Sequence, residues 1–489
     1  MDAFFTGFGL VLQLVYVLYM FAGMAVGVVV GVLPGLTGGM AIAIMLPFTF
    51  AMDPLAALIF LISIYTGGLF GGAVTAVMLN TPGSPSNIAT VLDGYPMNLK
   101  GEAGRALGLS LGSSIVGGLL GSTFLLFAAE PLARLSLRFG PGEMFMVAIF
   151  GLSVVGSLSN NVFKALFAGA FGILLGTIGM STTGAERGTM GVIYLLDGIP
   201  LAPALIGLLA LPEIFSLPHQ KFDMSHMSHA GARKVWAGIV ETLRYPLQLA
   251  LCSLLGVFIG VMPAAGATIG SMVGYNQSKQ WCKSSKEFGT GAPQGVIASE
   301  TTNSATQGGA LATMFVLGIP AGQATAMMMG ALIIQGWQPG PRLFIDHRDI
   351  IYASFSSLFV QQFALLLVGF LVCVCAAQLL RIPILLLVPS IMVFCVLGAF
   401  ANRNTLFDVY LMIGFSLIGW FMKKNDFPVM PVILGLILGP LADFQLLLIY
   451  QSFDGFYEIF LRPIVAVLFL VTVFCIVVPA YLIARRSKT

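Results

Sequence analysis

Charge is what this 489-residue sequence has least of: 23 Lys and Arg and 20 Asp and Glu make up about 9% of it, where soluble domains carry roughly 25%. So few charges cannot cover the surface of a water-soluble chain of this length. That excludes ordinary globular folds, and a net charge of +3 supplies no basic face for nucleic acid. No long hydrophilic domain is present; the largest polar stretch is about 218–245, holding Lys221, Arg233, Lys234 and Arg244. The N-terminal MDAFFTGFG lacks a basic run ahead of its apolar residues, so no cleaved signal peptide is expected. A phosphate-binding P-loop is missing, so ATP hydrolysis by this chain is not expected. The six cysteines show no framework spacing. Five lie in apolar runs and Cys282 in a basic loop, and no structural disulfide is expected.

What the chain does have is apolar length. Hydrophobic residues are 58% of it, and many runs continue unbroken for about 20 residues. A transmembrane β-barrel would instead alternate apolar and polar residues along short strands. The class is therefore an all-α polytopic membrane protein lying in a lipid bilayer. Its 58 glycines suit membrane helices, which pack closely through small residues; Gly27, Gly31 and Gly35, and Gly104, Gly108 and Gly112, form such ridges. The second ridge contains Gly108-Leu-Ser110-Leu-Gly112, which fits the nucleophile-elbow pattern, but with no His nearby it reads as packing. His219, His226 and His229 with Asp223 lie in a Ser-rich polar loop and make a poor metal site.

The apolar segments run from 8–33 to 463–485, and several, such as 37–50 and 322–335, are too short to span alone. Pro and Gly occupy the breaks, the pattern of re-entrant hairpins and broken helices. An internal repeat is also present. GVVVGVLP (27–34) matches GVFIGVMP (256–263), GGAVTAVMLNTPG (71–83) resembles GGALATMFVLGIPAG (308–322), and Pro200, Pro203, Gly207 and Pro212 match Pro428, Pro431, Gly435 and Pro440. The chain divides into a first repeat (1–217), a cytoplasmic linker (218–245), a second repeat (246–450) and an extra C-terminal helix (451–489). Lys and Arg positions put Lys100, 218–245, Lys423 and Lys424 inside, and the N-terminus and Asp346 outside. That scheme makes the two repeats inverted, with about 11 crossings and two hairpins.

Four polar breaks interrupt the apolar runs: Leu33–Gly39, Leu79–Asn87, Met262–Gly270 and Leu317–Thr325. One Pro-Gly break alone would read as a surface turn; four at repeat-related places read as a site, which inverted symmetry would gather near the midplane. Unwound backbone is tolerated inside a bilayer only where it is buried or lines a cavity, and amides at a helix N-terminus suit an anion. The second break offers Asn80, Thr81, Ser84, Ser86 and Asn87 around Pro82, Gly83 and Pro85. The fourth offers Gly318, Pro320, Gly322 and Gln323. These are the candidate substrate-binding residues. Carbonyls and one hydroxyl each in the first and third breaks (Pro34, Gly35, Thr37, Gly38; Gly266, Thr268) are candidate cation ligands. Carboxylates at membrane depth are functional candidates by default, which adds Asp93 and Glu300, the latter beside Asn303, as coupling groups. Na⁺ is the preferred coupling ion over protonation of Asp93 or Glu300. No catalytic residue and no cofactor is expected.

The blocks GVLPGLTG (31–38), GGAVTAVMLNTPGSPSNIATVLDGYPM (71–97), GEAGRALG (101–108), EFGTGAPQGVIASETTNSA (287–305) and GGALATMFVLGIPAGQATAMMMGALIIQGWQPGP (308–341) resemble the large membrane subunit of the tripartite tricarboxylate transporters, the TctA-type family. The resemblance covers nearly the whole chain. It implies a multi-pass protein of the bacterial inner membrane, and the hairpin-bearing core is expected to work by elevator motion. Such a protein imports a di- or tricarboxylate by Na⁺ or H⁺ symport, together with a small integral membrane subunit and a periplasmic solute-binding protein. One departure is Glu300-Thr301-Thr302-Asn303-Ser304, where the family often has Glu-Ala-Ala-Asn-Asn. Other readings are a self-sufficient carboxylate permease, a channel, or an intramembrane enzyme; the last would need clustered acids or metal ligands at membrane depth, which the sequence lacks.

Overall fold

The structure, a computed structural model, describes residues 2–33, 35–157, 161–181, 183–216, 230–263, 266–282, 285–380, 384–453 and 456–486. Pro34, the group His219, Asp223, His226 and His229, and Ala264 and Ala265 of the third break lie outside them. Apolar runs in a medium without water must satisfy every backbone group internally, and they do so as helices. The first half forms α1 (Asp2–Val11), α2 (Leu14–Val32), α3 (Gly38–Met45), α4 (Pro54–Leu79), α5 (Ile88–Leu99), α6 (Ala103–Ser136), α7 (Pro141–Ser157), α8 (Val162–Gly176), α9 (Leu201–Leu205) and α10 (Leu211–Ser216). The second forms α11 (Ala232–Thr242), α12 (Pro246–Val261), α13 (Gly266–Trp281), α14 (Pro293–Leu317), α15 (Gln323–Ile334), α16 (Leu343–Asp346), α17 (Arg348–Leu379), α18 (Ile384–Arg403), α19 (Leu406–Lys424), α20 (Met430–Ser452) and α21 (Pro463–Arg486). Among the described residues, strand structure is confined to an antiparallel ribbon, Gly179–Met180 against Glu186–Arg187.

Among the described residues, six helices (α2, α4, α6, α17, α19 and α20) are long and apolar enough to cross a membrane, and a seventh if α11 and α12, bent by 80°, count as one span. Stretches such as Val162–Gly176 and Gln323–Ile334 are apolar but end within 10–17 residues, less than the roughly 20 that a bilayer requires of a straight helix. α14 is long enough, but its Ser299–Gln307 segment is polar at every position except Ala305.

Small residues decide how closely these helices approach. α4 is buried along its whole length. A Cβ on Gly67 would lie 2.8 Å from the Met24 carbonyl, and one on Gly71 would lie 2.5 Å from that of Val28, so α2 rides on the glycine face of α4. Gly104, Gly108 and Gly112 face α11 in the same way, with a Gly108 Cβ 2.9 Å from the Gly238 Cα. Two further contacts run in parallel. α1 lies on α17, where Ser356 Oγ donates to the Phe4 carbonyl at 3.0 Å. α11 lies on α6, where Thr242 Oγ1 donates to the Leu109 carbonyl at 3.4 Å.

α4 begins at Asp53, whose carboxylate accepts from the amides of Leu55 and Ala56 at 3.1 and 3.0 Å, with Pro54 in the first helical position that suits it. It ends at Asn80, in the left-handed region at φ 55°. α14 ends at Gly318, also left-handed at φ 67°. Each turn reverses the chain into the next short helix, and it is this reversal that brings the polar breaks inward.

Candidate functional site

A cavity of about 500 Å³ lies between two groups of elements, a size typical of sites for small molecules. One wall is made by the breaks: Thr37 to Met40 at the start of α3, Ser84 to Ser86 before α5, Gly266 to Ile269 at the start of α13, and Ala321 to Ala324 at the start of α15, with Tyr65, Gly68 and Leu69 of α4 behind them. The other wall is made by Leu208, Leu209, Pro212 and Glu213, and by Gly419, Lys423, Phe427, Val429 and Met430. Leu208 and Leu209 belong to a π-helical turn, Ile206–Ala210; the Leu211 amide donates to Ile206 five residues back, and Pro212 has no amide with which to restore the α pattern. Such turns widen a helix locally and recur at functional sites.

The breaks touch each other. The Gly35 amide, in a residue at φ 83°, donates to the Gly83 carbonyl at 3.2 Å, and the Gly83 amide donates to that of Gly72 at 3.1 Å. Thr37 Oγ1 caps α3 by accepting from the Met40 amide and donates to Gln323 Oε1, both at 3.2 Å. Gly39 leaves room for the fourth break: a Cβ there would stand 2.8 Å from the Gln323 Cβ. Three helices therefore present their N-termini to the cavity, and a fourth, α5, does so through the 3-10 turn Pro85–Asn87. The first amides of a helix have no intrahelical acceptor, and the helix dipole places partial positive charge there. The helix ends thus bring partial positive charge to the cavity without a buried cation.

Behind this lining lies a buried polar network. Ser84 Oγ is 2.7 Å from both Ser86 Oγ and Asn87 Oδ1. Asn87 Nδ2 donates to the Leu69 carbonyl at 3.3 Å and to Glu300 Oε1 at 3.1 Å. The Glu300 carboxylate, wholly buried, also accepts from Thr90 Oγ1 and, at 3.3 Å, from Ser114 Oγ. Asn303 Nδ2 donates to the same Leu69 carbonyl at 3.1 Å, while its Oδ1 is buried without a partner. The buried carboxyl group of Glu300 is thus linked to the cavity wall through one residue, Asn87.

The candidates separate into groups. Thr37, Gly38, Ser84, Ser86, Gly266, Thr268, Gly322 and Gln323 line the cavity. Gly83, Asn87, Glu300 and Asn303 lie directly behind it. Asn80, expected at the cavity, is exposed and serves as the left-handed end of α4; Thr81 and Pro82 are half-buried and Gly318 and Pro320 buried, all outside the lining. Asp93 does different work. One oxygen accepts from the amides of Gly289, Gly291 and Ala292, each at 2.8 Å, and the other from Tyr275 Oη at 2.9 Å. It ties α5 to the turn that starts α14. Pro34 lies outside the described residues. Sequence reasoning missed the far wall, including Glu213 and Lys423. Both stand at the ends of apolar helices, and nothing in either segment marks their pairing across the fold.

A cavity at the meeting point of broken helices, in a multi-pass helical protein, suits a membrane transporter. The family comparison agrees: residues 17–434 match the tripartite tricarboxylate transporter TctA family, and the chain belongs to that family. It is 34% identical over 488 residues, 99% of this chain and 96% of the relative, to an uncharacterized 52.8 kDa protein in the TAR-I ttuC' 3' region of Agrobacterium vitis. It is 30% identical over 234 residues, 48% of this chain and 96% of the relative, to an uncharacterized protein in the TAR-II ttuC' 3' region of the same organism. No solved structure matches it.

Proposed function

We propose that this chain is the substrate-translocating subunit of a tripartite importer in a bacterial inner membrane. It carries a di- or tricarboxylate in symport with Na⁺ or H⁺, alongside a small integral membrane subunit and a periplasmic binding protein that delivers the anion. The observation that carries the reading is the convergence of helix N-termini from all four breaks on one cavity. Carboxylates lose most of their hydration on entering such a site, and unpartnered amides with neutral hydroxyls and carboxamides replace it. Because amide ends and not carbonyl ends meet the cavity at Thr37–Gly39 and Gly266–Thr268, we assign those breaks to the anion. The coupling cation, Na⁺ or H⁺, we assign to Glu300 and the free Oδ1 of Asn303.

Two features support inverted repeats: the paired contacts of α1 on α17 and of α11 on α6, and the left-handed ends of both α4 and α14. A cavity whose walls come from separate groups of helices supports elevator motion of the break-bearing group. In this arrangement Lys100, Lys234 and the turn 289–291 face the cytoplasm; they lie together, since Lys100 Nζ donates to the Thr290 carbonyl at 2.7 Å and Lys234 Nζ to that of Gly101 at 3.3 Å.

Uptake of labelled citrate, malate and succinate into proteoliposomes holding all three proteins, with Na⁺ and pH varied separately, tests the reading. Gln323→Ala should lower uptake by about tenfold through loss of a polar contact in the site, with insertion unchanged; full uptake in the variant would remove Gln323 from the site. Single cysteines at Asp2 and Asp346 should be labelled only from outside and one at Lys100 only from inside. Labelling of Asp2→Cys from the cytoplasm alone would overturn the topology.

A further inference from the structure

Among the described residues that line the cavity, Lys423 and Glu213 are the one cation and the one carboxylate. They stand on its far wall, on different helices, and are paired: Lys423 Nζ to Glu213 Oε2 is 2.6 Å. Both side chains are partly open to water, 42% and 36% exposed. Their backbones are held close by Gly419, whose Cβ would lie 2.8 Å from the Leu208 carbonyl and from Pro212. The close helix packing therefore keeps the two residues opposite each other on that wall.

An exposed ion pair is weak, because each partner recovers most of its hydration when the pair opens. A carboxylate ligand in the cavity offers the Lys423 ammonium the same chemistry that Glu213 offers it. We propose that Lys423 is an anion contact of this cavity with Glu213 as its built-in competitor: the ammonium passes from Glu213 to a carboxylate of the transported anion and returns when the anion leaves. This deepens the carboxylate-transport reading and rests on it. The device gives the site one strong charge-assisted contact without leaving a bare cation in the unliganded cavity, and it returns Lys423 to Glu213 on release, which keeps anion affinity low on the Lys423 side.

The device predicts opposite effects for two substitutions that break the same ion pair. Equilibrium binding of labelled citrate, malate and succinate to the full chain in nanodiscs measures both. Removing the competitor in Glu213→Gln should tighten binding by about two- to fivefold, the range set by the strength of an exposed pair. Removing the contact in Lys423→Met should weaken it by about fivefold or more, and Lys423→Arg should retain it. The double variant Glu213→Gln/Lys423→Met should bind as Lys423→Met does, since in this device the effect of Glu213 on the anion is carried by the Lys423 ammonium. Melting temperatures recorded alongside identify variants that fail to fold. A purely structural pair would shift both single variants in the same direction, and general repulsion by Glu213 would leave the tightening intact in the double variant; either result overturns the proposal. If Gln323→Ala loses binding while the 213 and 423 variants match the wild type, this inference fails and the transport reading stands. If the wild type binds none of the three carboxylates, the transport reading itself fails, and this inference with it.

Discussion

Glu300→Gln should cut coupled uptake by about 100-fold, the scale of charge-assisted hydrogen bonds lost from a buried group, while the protein inserts and folds as before. The reason lies in the donors around the carboxylate. Thr90, Asn87 and Ser114 all point hydrogens at Glu300. A glutamine can keep its oxygen toward Asn87 and Thr90 and turn its amide toward Ser114, whose hydroxyl can rotate to accept. Packing is then preserved and only the charge is lost. If Glu300 is part of a structural network alone, the glutamine should transport nearly as well as the wild type. If it carries the coupling ion, uptake against a gradient disappears while exchange of anion for anion across the membrane persists. Measuring both modes in one preparation separates these outcomes, and unimpaired concentrative uptake by Glu300→Gln would remove it from the coupling mechanism.

The second large effect is on folding. Gly71→Ala should reduce the yield of folded protein sharply and lower thermal stability by about 1–3 kcal/mol, the usual cost of forcing an extra methyl group into a packed interior. The new Cβ would stand 2.5 Å from the Val28 carbonyl and 2.9 Å from the Gly31 Cα. Both are backbone atoms, so relief requires α2 to separate from α4 along its length. The break Leu33–Gly39 follows α2 directly, and the Gly83 carbonyl that anchors it sits beyond α4, so the shift should reach the cavity too. A control at Gly414, where a Cβ meets nothing within 4 Å, should be tolerated. A melting curve for Gly71→Ala that overlays the wild type would show that this contact does not limit stability.

How much of this was legible beforehand depends on range. Helical class and membrane residence follow from composition and run length, which need no partner: a chain with so few charges and such long apolar runs has one stable environment and one way to satisfy its backbone there. The four breaks were legible as well, because Pro, Gly and clustered hydroxyls interrupt an apolar run locally. The glycine ridges at Gly27 and Gly31 and at Gly104 to Gly112 were legible as packing faces, though not their partners.

Other assignments were decided by contacts that span hundreds of residues. Asn80 and Ser84 both carry short uncharged polar side chains and stand four positions apart. The left-handed turn at Asn80 directs one outward, and the Gly83–Gly72 hydrogen bond draws the other into the cavity wall. Asp93 and Glu300 are both wholly buried acids, indistinguishable as isolated carboxylates in apolar surroundings. One meets three amides of the 289–292 turn and becomes an anchor; the other meets Asn87 and adjoins the cavity. Thr37 and Gln323 meet across 286 positions, and Glu213 and Lys423 across 210. Local pattern records what a segment tolerates in lipid, whereas a site is defined by which segments the packing of glycine faces brings within hydrogen-bonding distance. That second quantity belongs to the fold as a whole and is absent from any one stretch of the chain.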